Sequence, residues 1–307
     1  MDARLRDRLH GCAVGAAVGD ALGMPLEFGA PCPANRLVRE MQPGRLPAGT
    51  FTDDTEMALA LAESLLAHTP LDPEDLAQRF VAWYQAGPDD VGIHTGRILS
   101  RIAGGIPWEE ATASVQAEAP NSAGNGSVMR CWPIALAAWD QPGRLVKEST
   151  LQSRVTHPHA ECIAGSVFVN VAIAYLLQGD TPAAAVAQAG TTAALPAPLQ
   201  AVIQAAPHKE RGNLENSGWV RHTLESAVWG LLTTESFEEA VVQVVNLGRD
   251  ADTAGAVIGA LAGATYGLSG IPKAWQDVVH GTWPLHSGTL WQVPELITLA
   301  DELTKRP

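Results

Sequence analysis

The chain is short of charge, of basic residues and of any stretch that reads as a β-strand. Of its 307 residues 17% are charged, and Lys plus Arg number 20 against 33 Asp plus Glu, for a formal net charge of −13. A chain this acidic is a poor nucleic-acid binder, because phosphate recognition needs a basic surface. Cysteine is scarce too. Cys12, Cys32, Cys131 and Cys162 make neither a CxxC pair nor the spacing of a disulfide framework, which points to free thiols in a reducing cytoplasm. His157, His159 and Cys162 stand close in sequence but lack a nearby fourth zinc ligand. Two segments imitate membrane or export signals. Residues 254–271 are uncharged over about the length of a membrane span, but they are mostly Ala and Gly, which transfer weakly into lipid. The opening MDARLRDRLHGCAVGAAVGDALG has a basic segment and then a small-residue run that is poor in Leu and interrupted by Asp20, so a signal peptide is not expected.

What the chain does have is apolar residues, 46% of the total, recurring at helical spacing. Residues 53–68 read as one helix. In 71–87 Asp72 is the N-cap, Pro73 takes the first helical position and Gly87 follows the end. Further helices are expected near 94–104, 107–118, 127–139, 159–178, 219–233, 235–247 and 253–267, with Pro and Gly gathered in linkers at 29–50 and 118–126. No low-complexity tract divides the chain, and the expectation is one all-α domain over residues 1–307. Gly11, Gly15, Gly19 and Gly23 lie four apart, as do Gly255, Gly259, Gly263 and Gly267. On helices each set forms a strip without side chains. Each Gly weakens a helix by about 1 kcal/mol relative to Ala, so the strips imply a compensating close approach of two helices.

Two acidic clusters open apolar helices: Thr52, Asp53, Asp54 and Thr55 in FTDDTEMAL, and Asp250, Asp252 and Thr253 in GRDADTAGAVIGALAG. Helix capping explains either cluster alone, and Asp53 with Glu56 has capping-box spacing. It does not explain the pair, since capping needs one side chain and each cluster supplies two Asp with a Thr. Surplus carboxylates at buried helix ends repel unless a cation lies between them. An all-oxygen ligand set favours a hard ion such as Mg²⁺, Mn²⁺ or Ca²⁺, and four Asp could hold two. Glu27, in GDALGMPLEF, joins these clusters if the two glycine-strip helices pack antiparallel. Asp20 is expected to hold a turn or a helix end. Asp90, in GPDDVGIHTG, sits on a Gly-flanked loop, where turn formation competes with a functional role. The loop PNSAGNGSVMR runs into the apolar WPIALAAW stretch and could cradle an anion on backbone N–H groups, although no GK[ST] follows to make it a Walker loop. His157, in VTHPHAE, precedes another helix, and a lone His is more often a core or capping group.

Taken in order, GDALGMPLEF, FTDDTEMAL, PDDVG, GNGSVMR, VTHPHAE and LGRDADTAGAVIGALAGA resemble the ADP-ribosylglycohydrolase family, from about residue 8 to residue 270. The likeness is to the type that reactivates dinitrogenase reductase. The resemblance implies an all-α, single-domain fold with a binuclear Mg²⁺ or Mn²⁺ centre in a cleft. By motif match, Thr52, Asp53, Asp54, Asp250, Asp252 and Thr253 would be metal ligands. Glu27 matches the acidic residue beside the metals, and Asp90 an acid used by some members at the arginine–ribose linkage. Ser122, Gly124, Asn125 and Gly126 match a loop that holds the diphosphate, and His157 a ligand-contacting His. Two positions depart from the pattern: Ala123 is small where some relatives carry an aromatic, and Asp89 adjoins Asp90 as a rival. The implied reaction is hydrolysis at C1″ of the distal ribose, on an ADP-ribosylated protein or small molecule. The linkage expected is to arginine, with serine, O-acetyl or small guanidino linkages, or a non-catalytic relative, as alternatives.

Overall fold

A computed structural model describes residues 2–305. In chain order the α-helices are α1 (Ala3–Gly23), α2 (Asp53–Ala67), α3 (Pro73–Gln85), α4 (Ile93–Ala103), α5 (Trp108–Glu118), α6 (Trp132–Ala138), α7 (Pro142–Thr156) and α8 (Ala160–Gln178). They continue with α9 (Pro182–Thr192), α10 (Ala197–Ala205), α11 (Val220–Thr233), α12 (Phe237–Val245), α13 (Ala251–Tyr266), α14 (Lys273–Gln276) and α15 (Val293–Leu303). A two-residue antiparallel ribbon, Gly281–Thr282 with Leu290–Trp291, is the sheet seen among the described residues. Buried apolar side chains from helices along the whole chain form one continuous cluster. Ala160–Gln178 is long and apolar enough to cross a membrane, but it lies in that core with 83% of its apolar window buried.

At the centre α1 and α13 run antiparallel with their backbones in contact. A Cβ on Gly15 would stand 2.4 Å from the Gly259 carbonyl oxygen, and one on Gly19 only 1.9 Å from that of Gly255. The contact is reciprocal, since a Cβ on Gly263 would meet the Gly11 oxygen at 1.9 Å. The glycine strips therefore do what their spacing implies, and even Gly267 keeps its backbone against Gly11, where a Cβ would stand 2.5 Å from its carbonyl carbon. Gly267 ends α13 with φ +75° and also faces Asp7. The consequence for the site is positional. Gly23 lies against Ala251, so the residues that follow α1 and those that open α13 emerge at the same end of the pair.

Three expectations need correction. The helix expected over 127–139 covers only Trp132–Ala138, and residues 126–130 form turns. Pro133 has no N–H to give to the preceding turn, so it must sit at a helix start. Helices α7, α9, α10, α14 and α15 were not anticipated. In α7 the reason is chemical: its inward face carries Glu148, Ser149, Gln152, Ser153 and Thr156, all buried, so no apolar stripe announces it. The short ribbon at 281–291 was also not expected.

Candidate active site

The site is built where the two glycine-strip helices and α2 meet. Asp20, buried on α1, accepts from the Thr52 N–H at 2.9 Å and from the Thr55 hydroxyl at 2.6 Å. It thereby holds the start of α2, the helix-end role expected of it, and no α2 side chain caps its own helix. The Thr52 hydroxyl lies 2.8 Å from Asp20 and 3.2 Å from Asp54. A hydroxyl donates once and keeps acceptor lone pairs, so Thr52 can still face a cation. Asp54 is buried behind the cleft wall, while Asp53 faces the cleft.

The second cluster arrives through a strained turn. Phe28 and Arg249 both adopt left-handed backbone (φ 61° and 58°), a conformation costly to side chains other than Gly. They face each other: the Phe28 N–H donates to the Arg249 carbonyl at 2.5 Å, and the Arg249 N–H to the Gly29 carbonyl at 2.7 Å. These bonds tie the segment carrying Glu27 to the one carrying Asp250 and Asp252. Carboxylate oxygens of Glu27, Asp250 and Asp252 lie within 4.8 Å of one another.

Crowding shows in the acidities. Burial first, and then neighbouring carboxylates, push Asp53, Asp54 and Asp252 well above the usual range. Burial raises Glu27, with Arg45 and Asp252 opposing the rise. Asp250 rises less freely because the Asn125 amide donates to it at 2.7 Å. Asp20 is pushed up to about 6 by burial. Among the described residues, Asp54 Oδ1 is buried without a hydrogen-bond partner. An orphaned buried carboxylate oxygen among crowded acids, with two Thr hydroxyls beside them, fits a hard divalent cation. Glu27, Asp250 and Asp252, whose oxygens lie within reach of one ion, could hold it, with Asp53 and Thr253 on the same cleft wall and Thr52 and Asp54 buried beside them.

A cleft of about 720 Å³ opens in front of these groups, within the size range of small-molecule sites. Glu27, Asp53, Asp90, Asp250, Asp252 and Thr253 line one part of it, and Ser122, Gly124, Asn125, Gly126 and His157 another. Asp90 rather than Asp89 faces inward; Asp89 is exposed. His157 is buried, and burial drives its pKa well below the usual value. It packs against the glycine loop: a Cβ on Gly126 would stand 2.7 Å from its Cε1. Asn125 lines the cleft, and its amide donates to Asp250 and Thr223 and its N–H to the Gly218 carbonyl at 3.0 Å. It is a brace for the acidic cluster. Turns at residues 126–130 separate the loop from α6, so it does not run directly into the helix.

Sequence reasoning missed three parts of the site. Arg45 reaches Glu27 (2.8 Å), Asp90 (3.3 Å) and Asp252 (3.4 Å). His94, which lines the cleft, stands with its ring 5.0 Å from that of His157. Ser217 and Gly218 line the cleft because their segment pairs with residues 123–125. Only His94 lay inside a quoted motif, GPDDVGIHTG; nothing near Arg45 or Ser217 in sequence signals a site.

Fold and site together define a mostly helical protein with a cleft of about 720 Å³ that carries a cluster of carboxylates on its wall. The chain belongs to the ADP-ribosylglycohydrolase family, whose family model matches residues 1–307. It is 35% identical over 286 residues to an ADP-ribosylarginine hydrolase Tri1 of Serratia proteamaculans (strain 568), covering 88% of this chain and 75% of that one. It is also 35% identical over 278 residues to the ADP-ribosyl-[dinitrogen reductase] glycohydrolase of Rhodospirillum rubrum, covering 88% and 90%. A solved structure titled "ADP-ribosylglycohydrolase-related protein complex" superposes with a TM-score of 0.79 at 34% identity, covering 99% of each chain.

Proposed function

We propose that this chain removes ADP-ribose from a modified arginine by hydrolysing the N-glycosidic bond at C1″ of the distal ribose, with Mg²⁺ or Mn²⁺ as cofactor. The observation that carries this reading is the meeting of the acidic residues Glu27, Asp53, Asp90, Asp250 and Asp252 in one cleft with the Ser122–Gly126 loop and His157. The relatives named for action on ADP-ribosylarginine and ADP-ribosyl-dinitrogen reductase support the substrate class.

Bound divalent ions would neutralise the carboxylates and polarise ribose oxygens. The rest falls to the chain. The acidic wall orients the sugar and prepays much of the positional cost of the reaction. Departure of the guanidine from an oxocarbenium-like state requires a proton, and the attacking water requires a base; Glu27 and Asp90 are the candidate pair. The glycine loop and His157 form the part of the cleft wall offered to the diphosphate. Four unpaired cysteines, three of them buried, suit a reducing cytoplasm.

Incubation with ADP-ribosyl-arginine and ADP-ribosyl-serine, with Mg²⁺ or Mn²⁺ and after EDTA, tests the reading. Release from the arginine conjugate, abolished by EDTA and restored by metal, is expected. Preference for serine would move the linkage, activity in EDTA would remove the cofactor, and release from neither conjugate would reject the hydrolase.

A further inference from the structure

Arg45 lies in the irregular stretch between Leu26 and Asp53, yet its guanidinium enters the acidic cluster. Nη2 stands 2.8 Å from Glu27 Oε2, 3.3 Å from Asp90 Oδ2 and 3.4 Å from Asp252 Oδ2, and Nε is 3.1 Å from the same Glu27 oxygen. One nitrogen thus serves carboxylates from three separate parts of the fold. The backbone that delivers it is fixed. Gly44 packs so tightly that a Cβ there would stand 2.7 Å from Pro25 Cα. Its N–H donates to the Leu46 carbonyl at 2.9 Å, and the Phe51 N–H donates to that of His280 at 3.0 Å. The side chain is long and 26% exposed, so rotation about its own bonds can withdraw the guanidinium while the loop stays in place.

We propose that Arg45 is a tethered cation that competes with the divalent ion for the acidic cluster, so that ion binding displaces its guanidinium from Asp252 and Glu27. The inference rests on the metal-dependent reading above. Carboxylates this close cannot all be charged without a positive partner. Arg45 supplies one charge through hydrogen bonds, whereas a divalent ion supplies two at closer range. Asp252 is at once a proposed metal donor and a partner of Arg45, so the two cations draw on the same oxygens. Arg45 would hold the cluster together before the ion arrives and set the ion concentration at which the site fills.

Mn²⁺ titrated calorimetrically into the EDTA-stripped full-length chain, beside thermal melts of the same samples, tests this. Arg45→Gln should bind Mn²⁺ about tenfold tighter than the unsubstituted chain, the worth of a charge-assisted contact no longer to be broken. Its metal-free form should melt lower and gain more on adding Mn²⁺. Unchanged or weaker binding by folded Arg45→Gln would overturn the competition. Should that variant not fold, Arg45→Lys, which keeps the charge but loses the planar fork, carries the test, and binding no tighter than in the unsubstituted chain overturns the proposal. Equal binding in all forms rejects only the role of Arg45. Binding in none rejects the metal-dependent reading with it.

Discussion

Glu27 and Asp90 share one guanidinium but not one environment. The Glu27 side chain is 8% exposed and that of Asp90 31%. Under the proposed pairing either group can give or take the proton; burial raises Glu27, and Asp90 keeps more contact with water. Glu27→Gln is therefore expected to lower kcat by about a hundredfold or more at saturating Mn²⁺. Near-normal turnover with metal bound would remove Glu27 from the chemistry. At this scale the tight motifs were legible because two Asp and a Thr within a few residues exceed what capping needs. Arg45 was not, since an isolated Arg in a Pro/Gly-rich linker carries no pattern. Asn125 lies in the loop the motif marks and lines the cleft, and its amide also braces Asp250.

The element that decides the geometry is the pair α1 and α13, whose contact leaves no room for a methyl group. Gly19→Ala would put a Cβ 1.9 Å from a backbone oxygen, and neither helix can yield by a rotamer change. Such overpacking is expected to cost about 3 kcal/mol and to pull the acidic clusters apart, lowering activity along with stability. Gly143→Ala, in the first turn of α7 with nothing within 4 Å of the added carbon, is the control. It should be neutral or stabilise by up to about 1 kcal/mol. Chemical denaturation compares the two, and a Gly19→Ala protein as stable as its control would refute the close-packing argument. The strips were legible because glycine at intervals of four has few other uses. Helix α7 was not legible, because its buried face is polar and hydrogen-bonded rather than apolar.

For the whole molecule, an acidic core has a thermodynamic signature. Burial raises Asp20 to about 6 and Glu56 to about 7, and lifts Asp53, Asp54 and Asp252 well above the usual range. The folded state then holds protons more tightly than the unfolded chain, whose carboxylates titrate near about pH 4. This contribution to stability is complete below about pH 4 and is lost as pH rises through the folded values. In EDTA the melting temperature should fall between about pH 7 and 8, above the range in which His94, His157 and His222, whose pKa values burial lowers, act in the opposite direction. Saturating Mn²⁺ should restore it most at the upper end, by mass action on the folded state. A flat or rising profile in EDTA would mean that the carboxylates are not mutually destabilising. Periodicity, glycine spacing and doubled Asp–Thr motifs determined in the sequence itself that the chain is helical, that two helices touch closely, and which acids stand at helix starts beside the cleft, because each is a local pattern with a local physical cause. Only the tertiary structure decided that Arg45, His94 and Ser217 join those acids and that Asn125 serves the cluster. Those contacts span up to 207 residues of chain, and nothing local encodes which distant side chains will share a cleft.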